Sequence, residues 1–130
     1  MKDKKQYEHY YKYDLVYVDL GKKPGGIQSG IRPVMIISGN AANRANSPIL
    51  TVAPLTTKAK AHPVHVAIDA SDIKGYKMEK TSYILIEQIQ TIHKGQIKAK
   101  IGYASKDTKI RSLVDAAISR FLNLEGQVNE

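Results

Sequence analysis

Residues 25–40 read Gly-Gly-Ile-Gln-Ser-Gly-Ile-Arg-Pro-Val-Met-Ile-Ile-Ser-Gly-Asn, and they constrain the fold more than any other stretch. The first half is a glycine-rich loop, whose backbone reaches conformations closed to residues with side chains. The second half, Val34–Ile37, is short, apolar and mostly β-branched, the pattern of a core strand. Pro33 fixes its own φ and pushes Arg32 toward an extended conformation. A guanidinium is therefore held at the mouth of a strand, beside a loop that can approach a ligand closely.

The rest of the chain repeats the short-strand pattern. Asp14–Leu20 alternates and is rich in β-formers, which predicts a first strand. Gly21–Gly26 is a loop. The second strand opens at Arg32 or Pro33 and runs to about Ser38. A polar loop, Gly39–Pro48, leads to a third strand at Ile49–Pro54, which continues through Leu55-Thr56-Thr57 into a lysine-rich loop, Lys58–His62. Val64–Ile68, Thr81–Ile86 and Ile97–Tyr103 read as further strands, with a polar connection over Asp69–Lys80 and an extension or bend over Glu87–Ile92. One helix follows. Ile110, Leu113, Val114, Ala117, Ile118, Phe121 and Leu122 form a single apolar stripe at helical spacing. Asp107 is the expected N-cap and Gly126 the expected terminator. The sum is a mainly β (α+β) chain: a small, strongly bent sheet or barrel with a C-terminal helix packed on it. Residues 1–12 read as an N-terminal arm, 13–125 as the domain and 126–130 as a C-terminal tail.

Composition narrows the function. With 130 residues the chain holds one domain. It has no cysteine, which excludes disulfides and thiolate metal sites. No apolar run approaches the roughly 20 residues that span a bilayer. No apolar segment follows Met1–Lys5, so no secretory signal is read there and a cytoplasmic setting is expected. The net charge of +8 invites a polyanion, such as nucleic acid or an acidic protein segment, although lysine-rich surfaces also serve solubility. Sixteen of the twenty cations are lysines, so the four arginines stand out, and Arg32 and Arg44 lie in or near the opening stretch. The tyrosines clustered from Tyr7 to Tyr17 fit either a base-stacking platform or an arm laid over the domain.

Conventional catalytic motifs are missing: there is no Gly-x-Ser-x-Gly, Walker loop, His-Glu-x-x-His or dinucleotide fingerprint. His62 and His65 are three apart. In an extended segment they point to opposite faces, which argues against a shared metal. What remains is Arg32 near hydroxyls: Ser29, Ser38, Thr56 and Thr57. An ion pair for Arg32 and turn chemistry for the threonines stay open as plainer readings.

Five runs in order carry a family resemblance: Asp14–Leu20, Gly25–Ile37, Ser47-Pro48, Val52–Thr56 (Val-Ala-Pro-Leu-Thr) and Ile84–Ile92 (Ile-Leu-Ile-Glu-Gln-Ile-Gln-Thr-Ile). Together they resemble the MazF/PemK toxins, endoribonucleases of type II toxin–antitoxin systems, over roughly residues 13 to 123. The resemblance implies an SH3-like barrel with a C-terminal helix, acting as a homodimer. It implies metal-independent, sequence-selective cleavage of single-stranded RNA, mostly mRNA, with no cofactor, and neutralisation by a cognate antitoxin through an acidic, disordered segment. It implies Arg32 and Thr56 as the active residues, and Gln28, Gly30, Asn40, Ser82 and Gln88 along the RNA groove. Ser29 and Thr57 adjoin them, and Lys22, Lys23, Lys58 and Lys60 on flanking loops would collect the RNA backbone. The chain departs from the family pattern at Ile27 (usually glutamate), Ser29, Gln90 (often arginine) and Tyr13, which replaces a glycine. A CcdB-like toxin of the same fold that inhibits DNA gyrase, or a non-catalytic RNA-binding barrel, are the alternatives.

Overall fold

The computed structural model describes residues 8–44, 46–58 and 61–124. In chain order these form β1 (Asp14–Asp19), β2 (Ile31–Ile36), β3 (Ile49–Thr56), β4 (His65–Ile68), β5 (Ile73–Lys74), β6 (Ser82–Leu85), β7 (Gln90–His93), β8 (Ile97–Ala104) and α1 (Ile110–Phe121). The sheet order is β4-β6-β3-β2-β1-β8-β5, with β7 also paired to β3. Each pairing is antiparallel. The result is the expected mainly β architecture, a strongly bent and nearly closed SH3-like barrel with one C-terminal helix.

The bend is made in β3. Its first half, Ile49–Val52, pairs with β7, and its last residues, Leu55 and Thr56, pair with β6. Ala53 and Pro54 lie between the two partnerships, and Pro54 has no N–H to offer a ladder on that side. The sequence reading missed β5 and β7. The former has two residues, and the latter is cut from β6 by a 3-10 turn over Ile86–Gln88.

Burial explains why the middles of the central strands are apolar. Side chains alternate faces along a strand. Leu15, Met35, Ala53 and Leu55 enter one apolar cluster, which α1 covers with Ile110, Val114 and Ala117. Val16, Val18, Val34, Ile36, Leu50 and Val52 enter a second cluster on the other face, with Tyr10 and Ile92. Where both faces are buried, as over Val34–Ile36 and Val52–Leu55, the sequence is a continuous apolar run. Tyr10 belongs to the arm, and its burial supports the packing reading of this tyrosine over base stacking, whereas Tyr11 is exposed.

Tyr13 has φ of +79°, the left-handed region that favours glycine. That accounts for the glycine of the family pattern at this position. Here the strain is offset by side-chain contacts. The Tyr13 hydroxyl donates to Asp115 of α1 at 2.7 Å, and the Arg111 guanidinium stacks over its ring at 4.5 Å.

Two expectations for the helix change. Asp107 is not the N-cap: the helix starts later, at Ile110, and the Thr108 hydroxyl accepts from the Ile110 N–H. Asn123, at φ +56°, is the left-handed residue that ends the helix, with the Leu124 N–H bonded back to the Ser119 carbonyl. Gly126 lies outside the described residues. The apolar stripe is also only half used, because Leu113, Phe121 and Leu122 are exposed.

Gly102 stands at a register shift where β8 meets β1, and a Cβ there would lie 2.4 Å from the Lys74 carbonyl oxygen on β5. Backbone cannot yield cheaply to that clash. Gly102→Ala is expected to destabilise the fold by about 1–3 kcal/mol. Thermal unfolding should show it as a melting temperature several degrees lower.

Candidate active site

β2 and β3 are in register with Val34 opposite Pro54 and Ile36 opposite Val52. Carried two residues further, that register sets Arg32 level with Thr56. Both open on a cavity of about 390 Å³, lined also by Gln28, Thr57, Lys58 and Ser82, with Pro33 and Leu55 as its apolar wall. Six of the residues anticipated from the sequence are thereby brought together around one space.

Arg32 is half-buried, and its Nε donates to the Ser29 carbonyl at 3.0 Å. That bond fixes the guanidinium plane. Among the described residues no carboxylate pairs with Arg32, so the plain ion-pair reading does not hold there. Thr56 makes the turn contact that the plainer reading anticipated: its Oγ1 accepts from the Lys58 N–H at 3.1 Å. A hydroxyl accepts and donates at once. The accepted bond orients Thr56 and leaves its proton to point elsewhere.

Gln88 lies outside the cavity and acts on the loop that borders it. Its Oε1 accepts from the Gln28 N–H at 2.8 Å, and its Nε2 donates to the Gly26 carbonyl at 2.9 Å. The Gln28 side-chain Oε1 is buried with no hydrogen-bond partner. Burying an unpaired acceptor is costly.

Other anticipated residues lie elsewhere. Ser29 contributes its carbonyl, not its hydroxyl, to Arg32. Gly30, at φ +75°, closes the hairpin by donating to the Gly21 carbonyl. Lys22 and Lys23 are exposed on that hairpin and do not line the cavity. Asn40 is corrected. It lies beyond the far end of β2 from Arg32 and borders a separate cavity of about 620 Å³ with Tyr11, Lys12 and Arg111. Its Oδ1 accepts from the Lys12 N–H at 2.8 Å. Lys60 lies outside the described residues.

The sequence reading missed the continuation of the groove. A neighbouring cavity of about 400 Å³ shares Pro33, Leu55, Thr57 and Ser82 and is closed by Tyr76–Lys80. That segment read as a polar connection; the one signal within it was Met78, which is buried.

The histidine expectation is overturned. His62 and His65 do not point to opposite faces: their rings stack with centroids 4.5 Å apart. The reason is local. The His65 N–H bonds to the His62 carbonyl at 3.1 Å across Pro63-Val64, so the segment is a tight turn and not extended. His65 Nε2 also lies 2.7 Å from Glu87 Oε2.

Comparison with known proteins agrees with this fold. Endoribonuclease MazF of Staphylococcus saprophyticus is 42% identical over 106 residues, covering 79% of this chain and 83% of that protein. A mycobacterial endoribonuclease solved in complex with its cognate antitoxin superposes with a TM-score of 0.70 at 23% identity, over 88% of this chain and 96% of that one. MazF from Deinococcus radiodurans superposes with a TM-score of 0.70 at 20% identity, over 89% and 98%. These two structures speak for the fold. Residues 11–122 match the description "PemK-like, MazF-like toxin of type II toxin-antitoxin system", and with nearly the whole domain inside that match, the chain belongs to this toxin family.

Proposed function

We propose that the chain is an endoribonuclease toxin that cuts single-stranded RNA in the cavity between β2 and β3. The observation that carries the reading is the convergence on one cavity of Thr56 and a half-buried Arg32 that has no carboxylate partner among the described residues. The 42% identical relative, an endoribonuclease, supports the activity. Nothing among these relatives favours the gyrase-directed alternative.

RNA carries its own nucleophile, the 2′-hydroxyl, so the protein need only align the reacting oxygens and stabilise charge on the phosphoryl group. The terminal nitrogens of Arg32 would bind the phosphoryl oxygens as a fork. Thr56 would donate its hydroxyl to the same phosphate or orient the 2′-hydroxyl. The 2′-oxygen bonds to phosphorus, its proton is lost to solvent, and the bond to the 5′-oxygen breaks. That oxygen leaves as a hydroxyl, taking a proton through Arg32 as Arg32 regains one from solvent, to give a 2′,3′-cyclic phosphate and a 5′-hydroxyl end. A guanidinium donates and does not serve as a free base. No step calls for a metal. Gln28, Ser82 and Thr57 would face the bases or sugar, and Lys22, Lys23 and Lys58 the backbone. We read the active form as a homodimer, in which a second copy would cover exposed apolar residues such as Ile31, Ile49 and Leu113. The partner that neutralises it would be a cognate antitoxin, placing an acidic, disordered segment in the same basic groove. A cytoplasmic site of action fits mRNA as the target.

With purified protein and a defined single-stranded RNA, Arg32→Ala and Thr56→Ala should each slow cleavage by at least about 10²-fold. Cleavage at the wild-type rate by both variants would refute the assignment. Cleavage should also proceed in EDTA; its loss, restored by a divalent ion, would refute the metal-free step.

Binding to uncleavable RNA should weaken with salt at a slope of roughly −0.7 per neutralised phosphate. Replacing Lys22, Lys23 and Lys58 together by alanine should flatten that slope by up to about 2 units.

Gln88→Ala removes both bonds that anchor the 26–28 loop. At about 1 kcal/mol per bond, KM should rise on the order of tenfold while kcat changes less. Equal losses in kcat and kcat/KM would point instead to direct contact with the reacting groups.

A further inference from the structure

We propose that His62, His65 and Glu87 form a binding site for a zinc-class divalent cation, which clips the β3–β4 loop to the turn at residues 86–88. One ligating atom from each of the three residues lies within 4.8 Å of the other two. Around a tetrahedral zinc with bonds of about 2.0–2.1 Å, ligand atoms stand about 3.4 Å apart. Rotation of His62, which is exposed, closes the difference. Two imidazoles and a carboxylate are the ligand set of a borderline cation such as zinc, and a poor match to magnesium or calcium, which seek oxygen. The fourth position is left to water.

Two observations point beyond the His65–Glu87 pair itself. Glu87 Oε1 is buried and has no hydrogen-bond partner, although Oε2 meets His65. A carboxylate oxygen buried without a donor is the acceptor a cation would satisfy. The turn at Pro63-Val64 also brings His62 over His65, so a second imidazole stands beside that carboxylate. The side chains of His65 and Glu87 are 11% and 25% exposed, which shields an ion on one side, and His62 provides the open side for entry. Loading exchanges two contacts for metal bonds: the Val64 N–H to His62 Nδ1 bond at 3.2 Å and the close His65–Glu87 approach.

The location gives the site a role. The loop from Lys58 to His62 starts at the catalytic cavity, and Glu87 precedes Gln88, the anchor of the 26–28 loop. An ion at His62 would tie the far end of the first loop to the base of the second. Cation binding stands independently of the ribonuclease reading, since neither Arg32 nor Thr56 is a ligand.

The test uses the full-length chain without a histidine tag, stripped with EDTA and dialysed. Calorimetric titration with zinc chloride should give one equivalent per chain, and cobalt(II) should develop the visible absorption of a low-coordinate histidine site. Saturating zinc should raise the melting temperature by several degrees and slow tryptic cutting after Lys58. His62→Ala, at an exposed position, should fold normally and lose all four responses. His93→Ala, which changes a histidine outside the cluster, should keep them. Absence of stoichiometric zinc binding, or equal binding by His62→Ala, would overturn the site. Zinc binding that leaves cutting after Lys58 unchanged would overturn the clip.

Discussion

Strand β3 holds the molecule together because it keeps one partner and changes the other. Along one edge it stays with β2; along the other it passes from β7 to β6. The change of partner bends the sheet, and the unbroken pairing with β2 keeps Arg32 level with Thr56. Any slip of that pairing by one residue would turn every side chain of β3 to the opposite face, moving Val52 and Ala53 between the two apolar clusters. The burial of both faces is therefore what fixes the register, and the register is what builds the cavity.

The loops around the cavity are held by few bonds. Arg32 reaches back to the Ser29 carbonyl, and Gln88 holds the 26–28 backbone at two points. Each bond spans from a core strand, or a turn beside one, to a glycine-rich segment. Strands position Arg32 and Thr56, and the 26–29 segment forms a rim tied to them by these bonds. Segments of low local stability are commonly where binding is regulated. Here the start of β4 and the turn carrying Gln88 meet at His65 and Glu87.

Tyr13 shows how a departure from the family pattern is accommodated. A left-handed backbone at the start of β1 suits glycine, and a tyrosine there is strained. Its ring lies under Arg111 and its hydroxyl reaches Asp115, so the same side chain that strains the backbone fastens α1 to the barrel.

Much of the fold was legible in the sequence because periodicity reports burial. The apolar run Val34–Ile37 and the alternation in Asp14–Leu20 marked strands that are indeed in the core. Arg32 and Thr56 were legible as a pair only through the ordered set of runs shared with a family, since an Arg-Pro dipeptide or a threonine at a strand end is common. Tertiary structure alone decided what depends on partners distant in the chain. It set Asn40 and Arg32 on different cavities, at opposite ends of β2. It exposed half of the helix stripe and closed the groove with Tyr76–Lys80. It stacked His62 on His65, because one hydrogen bond across Pro63-Val64 turned an apparently extended segment into a tight turn. Local sequence sets which residues prefer burial or extension; which of them meet is set by strand pairing between distant segments and by turns such as Pro63-Val64, whose conformation the apolar pattern does not report.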